Sequence, residues 1–319
     1  MTGTDTPIRI GVSSCLLGAG VRYDGGHKHD PFLTQTLGPF FEWVAVCPEV
    51  ELGLGVPRPA LRLIGVSGAP RLVVIKSGED LTDRMTAFSR RRVRELEALD
   101  LCGYILKKDS PSCGMERVKV RAGDGPGVRK GVGLFARELM AGQPMLPVEE
   151  EGRLNDPALR ENFIERVFCY RRWRTFVSRR WRPGDLVAFH TDHKLLLMAH
   201  SPAHYVSMGR IVSAAARGRR AELQSAYGNA FMEALARPAT ARRNANVFFH
   251  ALGYFKKLLG EDERREMFQV IESYRSGLVP LIVPITLLRH HVRRFDVAYL
   301  ARQIWLSPHP AELMLRNHA

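Results

Sequence analysis

The sequence has only five cysteines, and no two of them form a Cys-x-x-Cys pair. An odd number of widely spaced thiols does not make a disulfide framework. The close pair that many structural zinc sites use is missing as well. No apolar run is long enough to cross a bilayer: the longest, Leu278 to Leu288, is short and interrupted by Pro280 and Pro284. The polar start, Met1 to Pro7, is not followed by the apolar segment of an export signal. Internal repeats and low-complexity tracts are absent. These absences predict a cytoplasmic protein with reduced thiols and no membrane segment.

Acidic residues are scarce in one half only. The 319-residue chain carries a net charge of +14. Residues 1–150 hold 20 Lys and Arg against 18 Asp and Glu, whereas residues 151–319 hold 27 against 15. A near-neutral half joined to a strongly basic one suggests one part for chemistry and one for holding a polyanion. An arginine-rich solubilising surface is the plainer alternative. With 45% hydrophobic and 25% charged residues, the chain can build ordinary cores, and its length suits two domains.

The two halves also differ in periodicity. Ile8 to Ser14, Trp43 to Cys47, Leu72 to Lys76 and Gly103 to Lys107 read as short strands. Asp83 to Leu99 predicts an amphipathic helix capped by Thr82, with Met85, Phe88, Val93, Leu96 and Leu99 on its apolar stripe. A shorter helix is predicted over Gly133 to Met140, ending near Gly142. This alternation favours an α/β domain with a mostly parallel sheet. Gly142 to Asn155, with two prolines and three consecutive glutamates, reads as a boundary, and the domains are placed at 1–150 and 151–319. Beyond it, Asp156 is positioned to cap a helix opening at Pro157. Helical patterns recur at about 193–216, 221–236, 241–259, 261–275 and 284–303, so the second domain is predicted to be all-α.

Cys15, Cys47 and Cys113 each follow a predicted strand and sit beside glycine or proline. In a parallel sheet the carboxyl ends of strands form a common ligand site, so three distant thiols can meet there. Thiolates select iron–sulfur groups or zinc over magnesium or calcium. Spacing alone leaves open a metal site and three unrelated buried cysteines. Glu49 and Ser110 lie within three residues of these thiols and suit proton transfer, or else ordinary capping. Cys102 and Cys169 sit in apolar strand and helix patterns and read as small core residues.

The motifs Ser13-Ser-Cys-Leu-Leu-Gly18, Cys47-Pro-Glu-Val50 with Pro57-Arg-Pro59, and Leu106-Lys-Lys-Asp-Ser-Pro-Ser-Cys-Gly114 resemble those of the thiouracil desulfidase family over about residues 7–150. The second half resembles an all-helical domain often fused to it, through His193 to His200, Asn246 to Lys257 and Tyr274 to Pro284. The fusion resembles bacterial desulfidases that act on 4-thiouridine in tRNA. The resemblance implies a 4Fe–4S cluster bound by Cys15, Cys47 and Cys113 with one iron open to substrate. It implies Glu49 and Ser110 as the catalytic pair and a non-redox release of hydrosulfide. It also implies tRNA as partner.

In the basic half, Arg243, Asn246, His250, Tyr254 and Lys257 recur at three- and four-residue spacing and predict one helical face suited to phosphate contact and base stacking. A solvated polar face is the alternative. Arg289 to Arg294 forms a second basic cluster. His193, Lys194 and His200 lie in apolar helix context and read as packed core residues before second-metal ligands. Three other functions stay open on sequence: desulfidation of free thiolated bases, a non-catalytic iron–sulfur sensor that binds nucleic acid, and a zinc-dependent protein.

Overall fold

A computed structural model describes residues 7–122, 126–216 and 218–318. Met1 to Thr6, most of the polar start on which the export reading rests, lie outside them. The chain divides into two compact units, Met1–Asn155 and Asp156–Ala319.

The first unit is α/β. Its elements are β1 (Ile8–Ser13), β2 (Phe41–Val46), α1 (Pro48–Glu51), β3 (Leu61–Val66), β4 (Ala69–Val74), α2 (Thr82–Glu97), β5 (Gly103–Leu106), β6 (Val118–Arg121), β7 (Val128–Gly131), α3 (Leu134–Gly142) and β8 (Val148–Glu150). One sheet has the order β2-β1-β5-β8 and is parallel throughout. Gly11 in β1 pairs with Tyr104 in β5, and a Cβ on Gly11 would come within 2.2 Å of the Tyr104 ring. The glycine is therefore what lets that buried ring lie flat across the sheet.

The predicted strand at Leu72 to Lys76 exists as β4 but belongs to a different sheet, of order β4-β3-β6-β7. There β3 and β4 form an antiparallel hairpin, and β6 joins β3 in parallel. Leu63, Leu72, Val118 and Val120 of this sheet pack with Met85, Phe88 and Leu134 into one core. Thr82 does not cap α2. It is the first helical residue, and its hydroxyl accepts a hydrogen bond from the Leu72 N–H at 2.8 Å, tying the helix start to β4.

The boundary stretch is also structured. Val148–Glu150 is the edge strand of the parallel sheet, and Glu149, Glu150 and Glu151 are all buried. The division between units falls after Asn155, five residues beyond the expected point. Proline and charge mark a linker when carboxylates are solvated, but these three are used as acceptors inside the unit.

The second unit is helical: α4 (Pro157–Ser178), α5 (Pro183–Asp192), α6 (Lys194–His200), α7 (Pro202–Ser213), α8 (Arg220–Leu235), α9 (Ala241–Leu252), α10 (Glu261–Arg275), α11 (Ile282–Arg294) and α12 (Ala298–Ala301). Asp156 caps α4, accepting from the Ala158 and Leu159 N–H groups. The helical pattern at 193–216 is broken at Ser201-Pro202, where proline removes a donor and the serine side chain caps α7. The patterns at 241–259 and 284–303 end as α-helix at Leu252 and Arg294. Trp173, Phe176, Phe189, Tyr227 and Phe231 make an aromatic core. No helix of the described residues is long and apolar enough to cross a membrane.

Candidate functional site

Three adjacent strand ends carry the three thiols. Cys15 lies on a short 3-10 turn that follows β1 and closes at Gly18, whose φ is +93°. Cys47 follows β2 and sits at the N-cap position of α1. Cys113 lies in the turn after β5. A Cβ on Gly133 would come within 2.5 Å of the Ser112 carbonyl oxygen, so this glycine lets the start of α3 close on the Cys113 turn. All three cysteines line one cavity of about 390 Å³, together with Glu49 and Ser110.

Burial raises the Cys15 thiol to about 11, against the pull of Lys107. Cys47 is raised by burial too, while the backbone N–H groups of Val50 and Glu49 draw it down. Burial holds Cys113 well above the ordinary thiol range, opposed by the Ser13 hydroxyl, and the charges of Cys15 and Cys47 add to the rise. Thiols so placed stay protonated until a metal displaces the protons. Among the described residues, no three His, Cys, Asp or Glu side chains are arranged to hold a metal ion. Three thiols lining one cavity are the soft donor set that an iron–sulfur cluster takes. The N–H groups at Cys47 and the hydroxyl at Cys113 are the hydrogen-bond donors that such thiolates take.

Glu49 is held on both oxygens. Arg58 donates to Oε2 from Nε at 2.8 Å and from Nη2 at 2.6 Å, and Ser112 Oγ donates to Oε1 at 2.9 Å. Arg58 is itself buried and donates from Nη1 to the Val21 and Gly55 carbonyls. Ser110 Oγ accepts from the Ser112 and Cys113 N–H groups at 3.3 and 3.1 Å. It shapes the cysteine turn and keeps its own proton to donate.

The loop between β5 and β6 is clamped at both ends from β8 and the residue after it. Glu151 binds the Lys107 ammonium through Oε1 and accepts the Lys108 N–H through Oε2 at 2.8 Å. Glu150 Oε1 accepts the Met115 N–H at 2.7 Å. Lys107, Lys108, Arg22, Lys28 and Arg58 line the cavity and make it cationic. Sequence reasoning did not single out Arg58, Ser112, Glu150 or Glu151. Arg58 and Ser112 stand inside the quoted motifs, but nothing in spacing shows that they converge on Glu49. The glutamates were masked by a boundary-like composition.

In the second unit the predicted basic face is only partly one helix. Asn246 and His250 are exposed on α9, and Arg243 donates to the Pro238 carbonyl at 2.6 Å. Tyr254 lies on the 3-10 turn after α9 and stacks on Tyr299 at 4.8 Å, and Lys257 lies beyond that turn. The α-helix passes at Leu252 into the 3-10 turn Gly253–Phe255, where Phe255 is buried. His193 and His200 are buried and bonded to the Phe189 and Arg237 carbonyls, each at 2.7 Å. Cys102 and Cys169 are fully buried. His291, within the Arg289–Arg294 cluster, is buried as well.

Comparison with known proteins gives two family matches. Residues 10–151 match the model described as 2-thiouracil desulfurase, and residues 194–310 match a family described as protein of unknown function, DUF1722. The uncharacterized protein YbgA of Escherichia coli is 29% identical over 135 residues, 42% of this chain and 80% of YbgA. The uncharacterized protein YbbK of Bacillus subtilis is 32% identical over 108 residues, 32% of this chain and 71% of YbbK. Among solved structures, a [4Fe-4S]-dependent thiouracil desulfidase, TudS, is 32% identical, with a TM-score of 0.40, covering 48% of this chain and 97% of TudS.

Proposed function

We propose, for a chain that belongs to the 2-thiouracil desulfurase family through residues 10–151, that it removes sulfur from 4-thiouridine in tRNA, giving uridine and hydrosulfide. The observation that carries the reading is the cavity where three thiols from three neighbouring strand ends meet Glu49 and Ser110. The family supports the coarser statement, a desulfidase of thiolated pyrimidines. The tRNA substrate rests on the basic second unit, with Arg243, Asn246, His250, Tyr254 and Lys257 as its proposed contacts.

Cys15, Cys47 and Cys113 would hold a 4Fe–4S cluster. Such a group, bound by three thiolates, supplies an open iron as Lewis acid for the thiocarbonyl sulfur. The chain's own residues do the rest. Glu49, fixed by Arg58 and Ser112, still has a lone pair on Oε1, which has one donor where Oε2 has two, and takes a proton from the water that adds to the ring carbon. Ser110 gives a hydrogen bond from its hydroxyl to that water and orients it. Water thus supplies the new oxygen and two protons. One departs with sulfur as hydrosulfide and the other passes through Glu49 to solvent, so neither carbon nor sulfur changes oxidation state. The cationic lining from Lys107, Lys108 and Arg22 stabilises the negative charge that builds on ring and sulfur.

The test is anaerobic reconstitution with iron and sulfide, incubation with tRNA, and mass spectrometry of the digested nucleosides. Loss of 4-thiouridine with release of sulfide supports the reading. Retention of 4-thiouridine with the cluster intact overturns it. The cavity is also of a size for a free base, so thiouracil is run beside tRNA; a much higher kcat/KM on the free base would move the assignment there.

A further inference from the structure

The second unit holds a cavity of about 470 Å³ that the desulfidase reading leaves unused. It lies among α4, α6, the start of α9 and the end of α10. Its floor is charged and buried. Glu165 is satisfied there by His200 Nε2 at 2.5 Å and Arg316 Nη2 at 3.1 Å. Arg316 also donates to the Trp305 carbonyl at 2.6 Å and to Glu161 Oε1 at 3.2 Å. Glu161, one helical turn before Glu165, is less well served: among the described residues its Oε2 has only His318 Nε2 at 3.5 Å. Burial raises the Glu161 carboxyl to about 7, against the pull of Arg316.

Tyr274 lines the same cavity. Its hydroxyl accepts from Asn244 Nδ2 at 2.9 Å, which leaves its own proton to donate. Asn244 Oδ1 is in turn occupied by the Trp305 indole at 3.1 Å, so the floor is rigid. Leu196, Ala199 and Ala241 supply apolar walls. Arg275 also borders the cavity, with its side chain half exposed.

A carboxyl with one poorly served oxygen, in the same cavity as a phenol with a proton to give, matches a planar edge that sets an N–H beside a lone-pair acceptor, as each of the four RNA bases does. The excess of basic over acidic residues in this half repels a small cation but attracts a polyanion. Arg275, at the border, is paired with Glu272. We propose that this cavity is a nucleobase pocket. It takes the donor–acceptor edge of a base, from a nucleoside or an unpaired RNA nucleotide. The assignment uses no residue of the first unit and stands apart from the desulfidase reading.

The test is calorimetric titration of the full chain with guanosine, uridine, adenosine and cytidine, and with a short unpaired oligonucleotide. The nucleosides should bind, and Glu161→Leu, which removes the acceptor, should weaken each of them at least about tenfold. Ala241→Leu, which narrows the cavity without touching the charged floor, should weaken every nucleoside. Displacement of the nucleoside by the oligonucleotide would identify RNA as the source. Binding without displacement would identify the free nucleoside, and both results support the pocket. Absence of nucleoside binding overturns it, as does binding that Glu161→Leu leaves unchanged.

Discussion

Glu49 shows how much a single carboxylate depends on what holds it. Its fork-like contact with Arg58 is buried, and breaking a buried pair leaves an unpaired charge at a cost of about 3–5 kcal/mol. Glu49→Gln should keep the iron content and visible spectrum of the reconstituted protein while lowering kcat on thiolated substrate by roughly 10²–10⁴-fold. Arg58→Lys keeps the charge but loses the two-pronged geometry, and should lower kcat with KM little changed. Loss of iron from Glu49→Gln would show that the carboxylate supports the cluster and not the water. The placement of the three thiols was legible in the sequence because turn residues and strand patterns set them at neighbouring strand ends, whereas the part given to Glu49 came from the family resemblance. Arg58 and Ser112 were not, because their partner lies nine and 63 residues away and only the fold brings them to it.

At the scale of elements, the buried imidazoles around α5 set a pH dependence. Burial lowers His190 to about 4 and His193 to about 3, from an ordinary value of 6.5. The unfolded chain binds these protons first, so the stability they give is complete above pH 6.5 and is lost as pH falls toward 4 and 3. Glu165, pushed up by burial but drawn down further by His200 and Arg316 to about 2, acts in the same sense. Glu161, raised to about 7, acts oppositely and loses its contribution as pH rises through that value. The thermal midpoint followed by circular dichroism should therefore fall on acidification below pH 6.5, and His193→Gln should flatten the fall. An unchanged slope in that variant would remove the assignment.

The edge strand β8 is the other element with a clear consequence. Glu151→Gln should loosen Lys107 and the Lys108 backbone, and Glu150→Gln should weaken the hold on Met115. Each variant is expected to take up less iron and to shift the thiolate-to-iron absorption, without a matching loss of helix signal. Normal iron content and spectrum in both would show that the clamps are dispensable. The amphipathic helix at Asp83 to Leu99 and the strands β1, β2, β4 and β5 were legible from periodicity. β3, β6, β7 and β8 were not, and β8 consists largely of glutamate. Burial of charge by mutual pairing leaves no hydrophobic pattern to read.

For the whole molecule, the uneven charge matters most. If the helical unit grips tRNA through phosphates, log Kd should rise linearly with log salt, through counterion release. Substituting Arg242, Arg243 and Lys257 together by Gln should reduce that slope while thiouracil turnover in the first unit stays unchanged. A slope indifferent to these residues would move the RNA contact elsewhere on the chain. The α/β-then-helical order was legible from the change in periodicity near residue 150, while the exact division after Asn155 was hidden by the composition of β8.

That hidden strand decides where the two halves could be cut apart. The residues that resemble a spacer, Val148 to Asn155, complete the sheet and clamp the cysteine loop. A desulfidase half is therefore portable only with its tail. Recombination that joined it to a new partner at the proline-rich stretch would carry off the strand and strand the thiols, whereas a join after Asn155 would leave them seated.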